Sequence, residues 1–296
     1  MTYVTDTIFK MRRSRRTKRF LETIKLLLKN PTGLVAIIIL ATYIVIALIG
    51  PHFAPYNPDQ INLSQRLLPP SLQHIMGTDE YGRDVFSRIL FAIRLDLEIA
   101  FLSVTIGYII GVLSGIFSGY MGRITDNTIM RLMDIILAFP TIILAIAISV
   151  ATGYGFWPVV VAVSVVSIPG FSRVARSTVL STKNDLYVLA SISQGATTKH
   201  ILFRHILPPA ITPTIILYAL NLGNAISVAA ALSFLGVGIQ PPTPELGAMI
   251  TEGLQFVVSG QWWISIFPGF FIAVIVIAFN MMGDALREVT DVTLRS

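Results

Sequence analysis

Long runs without charge alternate with short polar stretches along this chain. Gly33 to Gly50 is 18 residues without a charge, the length of one membrane-crossing helix. Further apolar runs cover about 98–120, 130–151, 157–173, 211–236 and 264–284. The pattern predicts an all-α membrane protein with six transmembrane helices, the first at 31–53. Between them lie a basic tail at 1–30, a mixed segment at 54–95, a polar island at 184–209, a loop at 237–262 and a second tail at 289–296.

Composition agrees with this pattern. Hydrophobic residues make up 54% of the chain and charged ones 13%, with a mean hydropathy of +0.73, against roughly 25% charged in soluble domains. The net charge of +6 would fit a nucleic-acid partner, but the placement of the charges argues for membrane orientation instead. Lys10, Arg12, Arg13, Arg15, Arg16, Lys18, Arg19, Lys25 and Lys29 precede the first span, so that end reads as cytoplasmic. Of the 22 Lys and Arg, only Arg66, Arg83, Arg88 and Arg94 then fall outside, and both termini lie inside. The loop at 237–262 has no Lys or Arg, and Trp262-Trp263 sits where an interfacial aromatic belt is expected. The chain is too basic at its start for a signal peptide, so the tail reads as retained. With no Cys there is no disulfide framework.

Inside the spans, Gly107, Gly111, Gly115 and Gly119 recur every four residues, a slowly drifting stripe that lets another helix backbone approach. Arg131 and Asp134 share a face at the start of the third span and are placed to pair, while Pro140 is placed to kink it. Asn221 and Asn224 share a face of the fifth span, either cross-linking helices or lining a substrate path. In the mixed segment, Thr78-Asp79 and Gly82 suit turns and Asp84 suits a helix N-cap before Val85. Those structural roles are preferred to catalysis.

The island at 184–209 has two short helix-like halves meeting at Gly195, and Pro208-Pro209 ends the second. Glycine tolerates the sharp bend, and proline can open the next helix. The island is therefore either a helix–bend–helix elbow outside the lipid or an ordinary loop between spans. Catalytic chemistry is missing: there is no phosphate-binding Gly-x4-Gly-Lys-Ser/Thr loop, no His pair with zinc-motif spacing and no Gly-x-Ser-x-Gly elbow. We expect no catalytic residue, no metal site and no cofactor on this chain. A proton-coupled carrier acting alone places carboxylates or histidines at mid-membrane, and the apolar runs hold few. A non-transporting membrane scaffold is the third class.

The island resembles the coupling signature of inner-membrane permeases of ABC importers. Leu189-Ala190-Ser191 stands for its Glu-Ala-Ala, with Leu and Ser departing; Gly195 follows at the family spacing, and His205-Ile206-Leu207-Pro208 closes it. Other stretches are similar to the C-type permease subunit of dipeptide/oligopeptide importers. They include Gly77-Thr78-Asp79 with Gly82-Arg83-Asp84, Leu232-Ser233-Phe234-Leu235-Gly236-Val237-Gly238 with Pro241-Pro242, and Phe267-Pro268-Gly269. Leu246 departs from the family's usual Trp. The resemblance implies a type I ABC importer permease fold, one N-terminal helix plus a five-helix core at 96–288. It implies a homologous second permease, two cytoplasmic ATPase subunits that carry ATP and magnesium, and an extracytoplasmic substrate-binding protein, in a cell inner membrane. The island becomes a coupling elbow, with Ala190, Ser191, Gly195 and Ala196 allowing close contact, Lys199 and Arg204 at its rim, and His205, Leu207 and Pro208 at its end. The expected cargo is di- or oligopeptides, with nickel chelates or oligosaccharides as the alternative.

Overall fold

The computed structural model describes residues 26–295, with side chains to 290. The basic tail through Lys25, the side chain of Arg295, and Ser296 lie outside the described residues. Asn30 opens the first helix, α1 (Pro31–Ile49). Its side-chain oxygen accepts from the backbone N–H of Thr32 and Gly33, and Pro31 fills a first-turn position that needs no donor. The chain then winds through an irregular stretch to Asp84, which caps α2 (Val85–Met121) by accepting from the Ser87 N–H at 2.8 Å. Helix α2 has 37 residues and begins well before the apolar run expected at 98. At 1.5 Å per residue it is about 55 Å long, more than a bilayer core needs.

The third apolar run is not one helix. It divides into α3 (Arg123–Leu137) and α4 (Thr141–Thr152), bent by 93° with Pro140 between them. Proline's missing N–H and its clash with the preceding turn account for the break. Helix α5 (Phe156–Thr182) runs nine residues past the expected end at 173. The island holds α6 (Leu186–Ser193) and α7 (Thr198–Ile201), then a π-helical turn at Leu202–Ile206 that feeds α8 (Leu207–Phe234). The loop expected at 237–262 contains a further helix, α9 (Leu246–Val257), and α10 (Trp263–Arg295) closes the chain. Among the described residues, five helices are long and apolar enough to cross a membrane, or six if the bent α3–α4 pair is one span.

The core is organised on α2 and α5. A methyl group placed on Gly107 would lie 2.9 Å from the Ser164 carbonyl oxygen; on Gly111, 2.6 Å from that of Ile168; on Gly115, 2.2 Å from that of Ser172; and on Gly119, 2.8 Å from the Val179 Cβ. All four glycines therefore face the α5 backbone with no room for a side chain. Helix α8 packs across this pair, and α10 lies on α8, where Gly223 and Gly283 give the close contacts. Helix α1 sits at the edge, against α10 and the start of α2, with Tyr43 donating to the Phe271 carbonyl at 2.8 Å. Ile39, Leu40 and Ile46 pack against the core, while Leu34, Val35, Ile38, Ile44, Val45, Leu48 and Ile49 are exposed, as lipid-facing residues are.

Gly115→Val forces a side chain against a backbone carbonyl that cannot rotate away. We expect a loss of about 3 kcal/mol or more, beyond ordinary overpacking, read as a lower unfolding midpoint in detergent. Gly170→Ala is the control: its new methyl would lie 3.9 Å from the nearest atom, Leu217 Cδ2, and should be near neutral. Equal stability of the two variants would discard the seam.

Candidate functional site

Two polar assemblies stand at opposite ends of α2. At its C-terminal end is the elbow. Helix α6 is C-capped by Gln194, and Gly195 takes φ +77°, a left-handed conformation that non-glycine residues resist. A Cβ there would meet nothing within 4 Å, so glycine is required by the backbone and not by crowding within this chain. Thr197 accepts from the His200 N–H and starts α7. The π-turn follows from the two prolines: Pro208 and Pro209 have no N–H for the carbonyls of Arg204 and His205, and the Leu207 N–H reaches back to Leu202.

The elbow has two faces. Val188, Ile201, Leu202 and Ile206 are buried and join the main core. Leu186 (84% exposed), Tyr187, Leu189, Ile192 and Phe203 point outward. Such a patch on a segment outside the membrane runs is the mark of a docking surface. Ala190, Gly195, Lys199 and Arg204 are exposed beside it, and Ser191 and Ala196 are half-buried. His205 is half-buried between the Tyr187 and His200 rings, with centroids at 5.8 and 5.6 Å. Burial, with help from Asp185, raises the Tyr187 hydroxyl pKa and keeps it neutral. Leu207 lines a small apolar recess with Leu113, Ile116, Phe117, Leu202 and Phe203.

The arm that enters the elbow is clamped. Arg176 of α5 grips Asp126 of α3 with two bonds, 2.5 and 2.6 Å, and Ser118 of α2 donates to the same carboxylate. Lys183 donates to the Gly119 carbonyl at 3.1 Å. Asp134 pairs with Arg173 of α5 at 2.6 Å, not with Arg131 as its spacing had implied. A cross-helix partner won because α5 presents Arg173 directly opposite.

At the N-terminal end of α2 is a second, buried cluster that the spacing of Gly77 to Asp84 did not disclose. Arg83 donates to Asp79 at 2.5 Å and to Glu252 of α9 at 3.0 Å. Arg88 reaches the same Glu252 at 3.3 Å and the carbonyls of Pro58 and Pro242 at 3.2 Å each. Burial opposes the charge on Arg83, but Asp79 and Glu252 outweigh it and raise its pKa. His74 bonds Asp84 at 2.9 Å, and the Trp263 indole donates to the Thr78 carbonyl at 3.1 Å. Gly77 and Gly82 have φ +75° and +73°, and a methyl on Gly82 would fall inside the Asn62 carbonyl. The turn and N-cap roles of these residues are present, but the cluster also fastens the irregular segment to α9 and α10. Its key partner, Glu252, lies 169 residues from Arg83, beyond any local pattern.

Neither asparagine of α8 bridges helices among the described residues. Asn221 donates to Leu217 of its own helix at 2.8 Å, and Asn224 is exposed. The links between α2 and α8 come instead from Thr105 with Tyr218 at 2.8 Å and Tyr108 with Thr214 at 3.3 Å. No group of three or more His, Asp or Glu able to hold a metal gathers among the described residues.

Comparison with known proteins adds three findings. Residues 107–295 match the family of binding-protein-dependent transport system inner membrane components, and residues 19–70 match the N-terminal TM domain of oligopeptide transport permease C. The chain is 42% identical over 275 residues to the dipeptide transport system permease protein DppC of Alkalihalophilus pseudofirmus, covering 93% of this chain and 90% of the relative. It is 41% identical over 254 residues to the glutathione transport system permease protein GsiD of Pectobacterium atrosepticum, covering 86% and 84%. Among solved structures, an inward-facing conformation of the MetNI methionine ABC transporter matches with a TM-score of 0.53 at 22% identity, over 67% of this chain and 96% of that one. That likeness shows the type I importer permease fold.

Glu252→Gln leaves two buried guanidinium groups short of one negative charge. Breaking a buried pair typically costs about 3–5 kcal/mol; because Glu252 is 12% exposed, we expect the lower end, about 3 kcal/mol, as a lower unfolding midpoint. Arg94→Ala, which removes an exposed pair with Glu98, should change it by less than about 1 kcal/mol. If the two variants melt together, the cluster is not a clamp.

Proposed function

Because the chain belongs to the family of binding-protein-dependent transport system inner membrane components, we propose that it forms half of a translocation pathway for di- or oligopeptides and takes its driving force from separate ATPase subunits. The observation that carries this reading is the elbow: an outward apolar patch around a left-handed glycine, on a segment clamped to the bundle through Arg176 and Lys183. ATP and magnesium belong to the partner ATPases, and this chain carries no ATPase centre. A homologous second permease completes the path, and an extracytoplasmic binding protein delivers cargo. Lys29, Arg123, Arg131, Arg173, Arg176, Lys183 and Lys199 gather toward the elbow end, which the positive-inside rule assigns to the cytoplasm. The buried cluster around Arg83 then faces outward, toward the binding protein. Asn224, exposed on a membrane-spanning helix, is placed to line the path or to meet the second permease.

Peptide cargo is favoured because relatives at 41–42% identity are named for dipeptide and glutathione transport. Glutathione is itself a small peptide, so one chemical class covers both. Thermal-shift assays of the cognate binding protein against dipeptides, glutathione and nickel chelates decide the cargo.

Gly195→Trp tests the elbow. The chain has open space at this position, so bulk costs only the φ strain, about 1–2 kcal/mol, while a seated partner is displaced. In proteoliposomes holding the complete transporter, uptake should fall to background and ATP hydrolysis should lose its response to loaded binding protein. Membrane insertion stays normal. Normal coupling in this variant refutes the role given to the elbow.

A further inference from the structure

Asp96 of α2 and Glu245, the N-cap of α9, meet in the interior at the end of the bundle away from the elbow. Their residues are 3% and 0% exposed. Asp96 Oδ2 takes the Leu246 N–H at 3.4 Å, and Glu245 Oε2 takes the Ala248 N–H at 2.7 Å, so both carboxyls cap the same helix start. The other two oxygens, Asp96 Oδ1 and Glu245 Oε1, are buried without a hydrogen-bond partner. The N–H that Asp96 accepts belongs to Leu246, the residue after Glu245, so the two buried carboxyls converge on one helix start.

Two ionised carboxylates cannot share one dry helix start; one must hold a proton. A neutralising cation is the other remedy, and among the described residues none is supplied. On α2, Arg88 is committed to Glu252, Pro58 and Pro242, and Arg94 is exposed and paired with Glu98. On α9 the remaining ionisable group is Glu252, held by Arg83 and Arg88. Helix α8 offers the Ser233 hydroxyl, the loop 235–244 has no ionisable side chain, and the half of α10 nearest this end has none either. One proton between Oδ1 and Oε1 would satisfy both orphaned oxygens.

We propose that Asp96 and Glu245 form a one-proton site that latches the start of α9 to α2. Its ligand is a single proton, carried as a carboxylic acid–carboxylate hydrogen bond. Release leaves two like charges at one helix start and drives the start of α9, with the loop before it, off α2. The linkage is reciprocal: whatever separates α9 from α2 releases the proton. Helix α9 stays tied through Glu252, so the displacement is at its N-terminal end.

Burial pushes the Glu245 carboxyl up from 4.5 to about 7. Between those values the folded chain binds more protons than the unfolded one. Stability from the latch is therefore complete below about 4.5 and is lost as pH rises through the titration of the folded pair.

Infrared spectroscopy of the full chain in detergent micelles tests the site. At neutral pH a protonated carboxyl C=O band is expected; it should titrate away as pH rises, and the wild-type melting temperature should fall with it. Asp96→Asn and Glu245→Gln should each abolish the band, because the amide donates where the acid proton did. Each should also flatten the slope of melting temperature against pH while leaving the chain monodisperse. If neither variant folds, the wild-type titration still decides. Absence of a protonated carboxyl band at neutral pH, or a band that survives either folded variant, overturns the proposal.

Discussion

Backbone contact between α2 and α5 is the constraint on which the rest of the fold depends. Lipid is as apolar as a leucine side chain, so membrane helices gain little from hiding hydrophobic surface against each other. They hold through close packing and through polar bonds across the interface. Four glycines bring α2 against the carbonyls of Ser164, Ile168 and Ser172, and side chains at 107, 111, 115 or 119 would push the helices apart. Helix α8 rests on the platform these two make, and α10 rests on α8. Loosening the seam would therefore shift every helix that defines a path.

The same seam gives α2 its mechanical role. The helix is longer than a bilayer core is thick, so both its ends stand in polar surroundings. Each end carries bonds to other elements. At one end Arg88 and Asp96 reach α9 and the irregular segment before α2. At the other, Ser118 and the Gly119 carbonyl hold Asp126 and Lys183, the two groups next to the elbow. A stiff helix with anchors at both ends links the elbow to the opposite end of the bundle without a chain of soft contacts between them.

What the sequence disclosed follows the range of each interaction. The all-α class, the glycine stripe, the Asp84 cap and the prolines that open α8 depend on neighbours within a turn or two, so residue spacing shows them. The family resemblance was legible because its motifs are local too. The partner of the stripe, α5, was not, since nothing in residues 107–119 names residues 164–179. Glu252 escaped for the same reason, sitting 169 residues from Arg83. Helix α9 was taken for loop because prolines at 241, 242 and 244 and glycines around it mask its 12 residues. Asp96 escaped because it lies two residues before the apolar run at 98. Asp134 shows the remaining failure: a partner one turn away, Arg131, was available, yet Arg173 39 residues on holds the better position.

The elbow's two arms differ in stiffness, and the difference fixes how a push on it travels. The entering arm is the end of α5, joined to α3 by a two-bond Arg176–Asp126 pair and to α2 by Lys183. The leaving arm is the π-turn with Pro208, Pro209 and then Pro213 inside α8. Each proline removes a backbone hydrogen bond that would resist bending. Under the coupling role proposed above, a load on the apolar face of α6 would pass to α5, and through the glycine seam to α2, as one rigid body. Helix α8 would yield at its prolines and be displaced relative to that body. Relative motion of α8 against the α2–α5 pair must then be accommodated where they touch. Those contacts are the Tyr108–Thr214 and Thr105–Tyr218 bonds, made by hydroxyl groups that can re-form with new partners at little cost.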